Sequence, residues 1–248
     1  MTDLDLEPQK GILLYGPPGC SKTLTAKAVA TEAALNFIAI KGAELISMYV
    51  GESERAVREI FRKARAAAPS IVFFDEIDAI ASTRGGNNNH SSSTSPSSSA
   101  TPGLNVLTTL LNEMDGIEHL RGVLVLAATN KPDLLDPALM RPGRFDSLLY
   151  IGPPNLAARV QIVKIRTRKM PLADDVDVDA LAARMDGYSG AEIVRVCVEA
   201  AEATADEREA GDLGAKVSKR HFELALGKVV RQITPEMIRG FERFRSGQ

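Results

Sequence analysis

Residues 16–23, which read GPPGCSKT, have the residue types and spacing of a phosphate-binding loop. They follow the apolar residues 12–15 and precede a helix-compatible stretch, so the pattern is strand, glycine-rich turn and helix. Such a turn directs backbone N–H groups into one concavity at a helix N-terminus, where the macrodipole also favours an anion. Lys22 would then contact the β- and γ-phosphates of a nucleotide, and the Thr23 hydroxyl would ligate Mg²⁺. Ser21 stands where the general pattern has glycine.

Two adjacent carboxylates, Asp75 and Glu76, follow the apolar residues 71–74, which predict a buried strand. Ligands of open α/β sheets bind at the carboxyl ends of the strands, where both residues would lie. Asp75 is placed to hold Mg²⁺ through water, and Glu76 to orient and deprotonate the water that attacks a γ-phosphate. An apolar strand that ends in two acids is weak evidence alone, but after a phosphate-binding loop it predicts nucleotide hydrolysis.

Three polar residues farther along the chain are candidates for the same reaction. Asn130 follows the apolar residues 123–127 and would hydrogen-bond the attacking water and the γ-phosphate, although an asparagine before a Lys-Pro pair also suits an ordinary turn. Arg141 and Arg144 flank a Pro-Gly pair on a stiff turn outside the phosphate-binding loop. Arginine there suits neutralisation of a transition-state phosphate, in the same or a neighbouring subunit, and the alternative is a solvated basic pair.

The elements that must position these residues form two groups. In the first part of the chain, short apolar runs alternate with amphipathic ones, which predicts βαβ units and a parallel sheet. The predicted strands cover residues 12–15, 37–40, 71–74, 123–127 and 148–151, and the predicted helices cover 22–34, 53–67, 104–114 and 156–169. Strand signals vanish from Val178 onward, where helices are predicted at 179–184, 190–209, 218–231 and 235–244. We therefore expect an α/β core over residues 1–170 and a small all-α domain over residues 171–248.

The segment 85–103 consists almost wholly of Ser, Thr, Asn, Pro and Gly. It cannot bury enough apolar surface to offset the entropy of ordering it, so a disordered loop is expected. A neutral insertion is one explanation. A regulatory segment is the other, because Ser95-Pro96 resembles a proline-directed phosphorylation site.

Composition and charge exclude several classes of function. The 248-residue chain has 44% hydrophobic residues, a formal net charge of −2 and a pI near 6.0. It lacks the basic surplus of non-specific nucleic-acid binders, so nucleic acid is disfavoured as the direct substrate. Cys20 and Cys197 are far apart and the three histidines are scattered, which indicates neither a disulfide scaffold nor a zinc site. No stretch approaches the roughly 18 to 20 apolar residues that span a bilayer, so we expect a cytosolic or nuclear protein without membrane insertion.

Four segments together resemble the AAA+ ATPases of the classical AAA clade, the group that contains valosin-containing protein. They read GPPGCSKT, FFDEIDAI, LAATNKPDLLDPALMRPGRFD and DGYSGAEI, in that order. The resemblance implies a P-loop NTPase sheet with helices on both faces, a helical lid after it, and ATP and Mg²⁺ as ligands. It implies catalytic roles for Glu76, Asn130, Arg141 and Arg144. It implies nucleotide contacts for Gly16, Pro17, Pro18, Gly19, Cys20, Ser21, Lys22, Thr23, Leu24, Asp75, Gly190 and Ala191, with Thr23 and Asp75 on Mg²⁺.

The same resemblance implies that the two arginines act on the ATP of an adjacent subunit, so activity requires a ring, usually a homo-hexamer. It places Met48, Tyr49 and Val50 at the first pore loop, where an aromatic side chain would grip an extended polypeptide. Without the family, Tyr49 is better explained as a core aromatic. Within the clade, the Cys-Ser pair of residues 20–21 most resembles the second ATPase domain of the spermatogenesis-associated protein 5 group. Its fungal counterparts remove assembly factors from large-ribosomal-subunit precursors, so we expect a similar remodelling function.

The beginning of the chain departs from the family pattern. Family members carry a segment ahead of the first strand that lines the adenine pocket, whereas only residues 1–10 precede Gly11 here. We therefore expect either a fragment of a larger two-ring protein or a short paralogue with an incomplete base site. The alternative function is a non-catalytic nucleotide-binding or assembly subunit, which the complete set of candidate catalytic residues argues against.

Overall fold

The computed structural model of the protein describes residues 10–46, 51–81, 102–116, 122–210, 212 and 214–247. These residues divide into two compact units. The α/β unit contains the described residues up to Gly16 together with Lys22–Tyr150. The helical unit contains Pro17–Ser21 and the described residues from Ile151 onward.

Within the described residues, the α/β unit has a sheet of five parallel strands in the order β2-β3-β4-β1-β5. They are β1 (Gly11–Tyr15), β2 (Asn36–Lys41), β3 (Ser70–Asp75), β4 (Val123–Thr129) and β5 (Ser147–Tyr150). β3 lies between two other strands, and burial of its first five residues explains its continuous apolar run. Because the strands are parallel, the residues that follow β1, β3 and β4 emerge at one edge of the sheet.

The helices of the α/β unit supply the rest of its core. They are α1 (Lys22–Glu32), α2 (Gly42–Ile46), α3 (Glu52–Ala66), α4 (Asp78–Ala81) and α5 (Pro102–Asp115), with two short 3₁₀ helices at Pro132–Leu134 and Pro137–Met140. On α3, the buried residues Val57, Phe61 and Ala64 recur at helical spacing. Phe61 packs on Phe74 of β3 with ring centroids 6.2 Å apart. The apolar stripe of the helix therefore packs directly on β3, an internal strand of the sheet.

The helical unit consists of α6 (Leu156–Thr167), α7 (Val178–Arg184), α8 (Gly190–Glu209), α9 (Lys219–Lys228) and α10 (Pro235–Ser246). Its core includes Val163 of α6 and Ile193 of α8, both fully buried. Arg159 of α6 is also buried, and its Nε donates to the Ala182 carbonyl of α7 at 2.9 Å. These contacts explain why the units divide at residues 150 and 151, whereas the sequence placed a domain boundary at 170 and 171. Among the described residues, no helix has the length and apolar character to cross a lipid bilayer.

The predicted α/β class and the order of strands and long helices are confirmed. The sequence did not predict α2 and α4, because helices of five and four residues are too short to show a periodic pattern. α1 stops at Glu32, before the predicted end at Ala34, which has a left-handed φ of 52°. α5 begins at Pro102, inside the segment expected to be disordered, since proline is favoured in a first helical turn. Residues 85–101 lie outside the described residues.

Candidate functional site

A buried hydrogen bond joins the two ends of the phosphate-binding loop. Lys22 Nζ donates to the Gly16 carbonyl at 2.8 Å, and Lys22 is only 7% exposed. Gly16 has a φ of 150°, which glycine adopts at little cost. Lys22 is also the first residue of α1, so its ammonium adds a full charge to the positive end of the helix dipole. This arrangement in the α/β unit suits a polyphosphate.

Thr23 and Asp75 lie side by side, although 52 positions separate them in the sequence. Thr23 Oγ1 donates to Asp75 Oδ2 at 2.7 Å, and the backbone N–H of Glu76 donates to Asp75 Oδ1 at 3.1 Å. Hydrogen bonds therefore orient both oxygens of the carboxylate. A hydroxyl and a carboxylate in contact belong to the oxygen ligands that Mg²⁺ prefers, so these residues fit a magnesium ion.

Glu76 has an unusual backbone conformation for its residue type. Its φ is 53°, in the left-handed region, and the residue is exposed. A non-glycine residue in this region costs free energy, and such residues cluster at active sites. An exposed carboxylate directly after Asp75 is suited to accept a proton from water.

Asn130 follows β4, and hydrogen bonds hold the residues on either side of it. Thr129 Oγ1 donates to Asp78 Oδ1 at 2.8 Å and accepts the backbone N–H of Lys131 at 2.9 Å. Asp78 is the first residue of α4, two residues beyond Glu76. The Thr129–Asp78 bond therefore links the end of β4, which precedes Asn130, to the helix that follows the turn of Glu76.

Arg141 and Arg144 have different surroundings. Arg144 binds Asp115 through two bonds, Nε to Oδ1 at 2.7 Å and Nη2 to Oδ2 at 2.5 Å, and its Nη1 donates to the Ala138 carbonyl at 2.6 Å. This hydrogen bonding lowers the pKa of the Asp115 carboxyl and raises the pKa of the Arg144 guanidinium. Arg141 is exposed, and its guanidinium has no hydrogen bond or ion pair with another residue that the structure describes.

In the helical unit, loop residues Pro17–Ser21 lie against the start of α8. The backbone N–H of Ala191 donates to the Gly19 carbonyl at 3.1 Å. A Cβ on Gly19, whose φ is 74°, would lie 2.8 Å from Ser189 Oγ, and a Cβ on Gly190 would lie 3.2 Å from Ser21 Oγ. The structure thus brings Gly190 and Ala191 together with the loop through backbone contacts that leave little room for larger side chains.

A buried carboxylate fixes the first turn of α8. Glu192 Oε2 accepts the backbone N–H of Ser189 at 2.6 Å, and Ser189 Oγ accepts the backbone N–H of Glu192 at 3.2 Å. Glu192 Oε1 accepts the backbone N–H of Gln232 at 2.6 Å. Both carboxylate oxygens are therefore satisfied, and the helix start that contacts Gly19 is held in place.

The other predicted site residues differ in their exposure to solvent. In the helical unit, Pro17 and Cys20 are buried and Pro18 is exposed, and Leu24 on α1 of the α/β unit is 63% exposed. Met48, Tyr49 and Val50 lie outside the described residues, so the pore loop stays a prediction.

Sequence reasoning missed two acidic residues that support the candidate residues. Asp78 had a local signal, because it is the third acid in the DEID string that contains Asp75 and Glu76. Asp115 had none, since 29 positions separate it from Arg144 and no periodic pattern relates the two.

Comparison with protein families gives two matches. The model described as "ATPase family associated with various cellular activities (AAA)" matches residues 12–153. A model of the AAA+ lid domain matches residues 175–223.

Curated proteins show the same similarity. The chain is 55% identical to the ATPase family gene 2 protein of Schizosaccharomyces pombe, over 97% of this chain and 28% of that protein. It is 54% identical to ATPase family gene 2 protein homolog A of Homo sapiens, over 96% of this chain and 25% of that protein. It is 48% identical to the cell division cycle protein 48 homolog of Archaeoglobus fulgidus, over 96% of this chain and 33% of that protein. The chain spans about a quarter to a third of the length of these relatives.

Proposed function

Since this chain belongs to the AAA family of ATPases, as its motifs indicated, we propose that it couples ATP hydrolysis to the remodelling of protein complexes in large-ribosomal-subunit maturation. The observation that carries the proposal is the group formed by Thr23, Asp75 and Glu76. A hydroxyl and a carboxylate lie 2.7 Å apart, and an exposed carboxylate follows directly. A module that only binds nucleotide has no physical need of the second carboxylate.

Lys22 and the backbone N–H groups of the loop bind the phosphates in this proposal. The Lys22 ammonium is buried, so water screens its attraction for an anion less than it would on the surface. Charge-assisted hydrogen bonds of this kind are about twice as strong as neutral ones.

Glu76 and Asn130 act on the attacking water. Glu76 accepts a proton from that water as its oxygen approaches the γ-phosphorus, and the Asn130 amide orients it. The Thr129–Asp78 bond keeps the turns of these two residues together. Thr23 and Asp75 would hold Mg²⁺, which when bound neutralises charge on the phosphate oxygens.

The two arginines have separate roles in the proposal. Arg141, whose guanidinium is exposed, reaches the nucleotide of a neighbouring subunit. Arg144 stabilises the turn that carries Arg141 through its bonds to Asp115 and Ala138. A subunit whose arginine serves its neighbour cannot complete its own site, so we propose a homo-hexamer as the active form.

The substrate part of the proposal rests on sequence. The Cys20-Ser21 pair resembles the group that acts on large-subunit precursors, and Met48, Tyr49 and Val50 would grip an extended polypeptide in the ring. We propose pre-ribosomal assembly factors as substrates and the cytoplasm, with the nucleus as a second location, as the place of action.

ATPase assays with Mg²⁺ over a range of protein concentrations test hydrolysis and assembly together. The rate per chain is expected to rise with concentration, because only a ring completes the sites. Glu76→Gln should lower kcat by about 10²- to 10⁴-fold, whereas the matched control Glu236→Gln, an exposed position on α10, should leave it unchanged. ATPase activity that is only proportional to protein concentration and persists in Glu76→Gln contradicts the proposal. Nucleotide binding without turnover favours a non-catalytic assembly subunit.

A trapping experiment tests the ribosomal part separately. A chain that binds ATP but does not hydrolyse it should remain on its substrate complex. In cells, Glu76→Gln protein is expected to co-sediment with large-subunit precursors and to cause assembly factors to accumulate there. Sedimentation identical to that of the Glu236→Gln control would reject the ribosomal role while leaving the ATPase activity intact.

A further inference from the structure

The peptide that follows Glu76 is fixed by hydrogen bonds within the α/β unit. The Glu76 carbonyl accepts the backbone N–H of Ala79 at 3.0 Å, and the next residue, Ile77, donates its N–H to the Ala128 carbonyl of β4 at 3.0 Å. These bonds enforce a φ of 53° at a non-glycine residue. Such a conformation persists only where the surrounding structure imposes it.

Gly42 lies against the same carbonyl. It is the first residue of α2 and follows Lys41, which pairs with Asp75 in the parallel register of β2 and β3. A Cβ at position 42 would lie 2.5 Å from the Glu76 carbonyl oxygen, closer than real Cβ contacts come. It would also lie 3.3 Å from Ala79 Cβ. The Glu76 carbonyl therefore occupies the space that a side chain at position 42 would need.

Space, rather than backbone conformation, requires glycine at this position. Gly19 and Gly143 have left-handed φ values of 74° and 85°, whereas the φ of Gly42 lies outside that region. Alanine could adopt the backbone conformation of Gly42. Its Cβ would instead collide with the Glu76 carbonyl oxygen, which the hydrogen bond from Ala79 holds in place. A side chain at position 42 must therefore displace the peptide of Glu76.

We propose that Gly42 is a positioning residue for the catalytic carboxylate, because its missing side chain admits the Glu76 carbonyl and so sets the direction of the Glu76 side chain. This inference rests on the proposed function, in which Glu76 accepts the proton of the attacking water. Lys22, which we assigned to phosphate binding, and Gly16, which it bonds, are not part of the contact. A side chain at position 42 should thus impair the chemical step and spare nucleotide binding.

Gly42→Ala tests this separation. Its kcat is expected to fall about 100-fold, the effect of misplacing a catalytic group by about 1 Å, with nucleotide affinity unchanged. The matched control is Gly227→Ala on α9, where a Cβ would meet nothing within 4 Å, and it should keep wild-type values of both. Turnover is measured by phosphate release and affinity with a fluorescent ATP analogue. An unchanged kcat, or an affinity that falls as much as kcat, would overturn the proposal.

A stability cycle tests the contact without requiring turnover. Urea unfolding midpoints are compared for the wild type, Gly42→Ala, Glu76→Gly and the double variant. Gly42→Ala should lower the midpoint less in the Glu76→Gly background, because glycine at position 76 moves its carbonyl freely. Equal shifts in both backgrounds, or loss of folding in both, would refute the role of Gly42. A wild type without ATPase activity would instead refute the proposed function, and the cycle would still decide the role of Gly42.

Discussion

The α/β unit and the helical unit hold their candidate residues by different means. In the α/β unit, side chains from separate elements bond directly, as Thr23 does to Asp75 at 2.7 Å. In the helical unit, the loop meets α8 through backbone groups and glycines, as in the bond between Ala191 and Gly19 at 3.1 Å. The polar side chains supply charge and direction, whereas the glycines of the α8 contact supply close approach. Substitution of the candidate polar side chains in the α/β unit should therefore change chemistry, and substitution at the loop contact of the helical unit should change stability.

Among the substitutions that compare the two units, the largest effect is expected at Arg141, which would extend the chemical role of the α/β unit to a second subunit. Arg141→Ala should lower turnover of the assembled protein by about 10³-fold, since an arginine that stabilises transition-state phosphate contributes at least that much. Its unfolding midpoint should not change, because the side chain is exposed. ATPase assays and urea unfolding measure the two quantities. Turnover equal to that of Arg245→Ala, an exposed control on α10, would show that Arg141 does not reach a nucleotide.

Lys22→Met should have the next largest effect, on binding. Loss of two charge-assisted bonds to phosphate, at about 1.5 kcal/mol each, weakens ATP affinity by about 100-fold. Fluorescent ATP titration measures the dissociation constant. Lys27→Met, at an exposed position of the same helix, is the control and should bind as the wild type does. If both variants bind equally, charge in the α/β unit does not control nucleotide affinity.

In the helical unit, two substitutions should shift stability in opposite directions. Gly19→Ala places a Cβ on a left-handed residue and 2.8 Å from Ser189 Oγ, so the free energy of unfolding should fall by about 1 to 2 kcal/mol. Ser21→Gly removes the strain of a side chain at a left-handed φ of 65°, so the free energy of unfolding should rise by about 0.5 to 1 kcal/mol. Urea denaturation measures both values. Shifts of the same sign would mean that backbone conformation does not govern this loop.

The smallest effect is expected at Asp115. Asp115→Asn should lower the free energy of unfolding at neutral pH by about 1 kcal/mol, because the Arg144 bond is partly exposed to water. The bond from Arg144 lowers the pKa of Asp115 in the folded protein. Its stabilisation is thus complete well above 3.8, the ordinary aspartate value, and is lost as the pH falls below it. Unfolding curves of the wild type and Asp115→Asn from neutral to acidic pH test this dependence. A stability difference between the two proteins that persists at acidic pH would exclude the Asp115–Arg144 ion pair as its cause.

Local patterns were sufficient to predict the strand ends that carry the candidate residues. The glycine-rich turn before Lys22 and the apolar run before Asp75 each encode a strand and its polar successor, because these features depend on neighbours in the sequence. The parallel sheet then places the carboxyl ends of β1 and β3 at one edge, where Thr23 of α1 contacts Asp75. That contact follows from the sheet and from the phosphate-loop pattern together.

Contacts that depend on register between separate elements could not be predicted. Gly42 lies beside Glu76 only because β2 pairs with β3 in one register, and a shift of one residue would remove the contact. Arg144 meets Asp115 at the end of a helix that begins inside the low-complexity segment. No pattern in a single sequence encodes the distance between such residues.

The buried carboxylate of Glu192 links the first turn of α8 to a segment near the C-terminal end of the described residues. One of its oxygens depends on the backbone N–H of Gln232, 40 positions away. Proteolysis that removed Gln232 and the residues after it would leave that oxygen without its donor and loosen the first turn of α8. The bond between Ala191 of this turn and the Gly19 carbonyl would then weaken, so removal of distant C-terminal residues would destabilise the phosphate-binding loop.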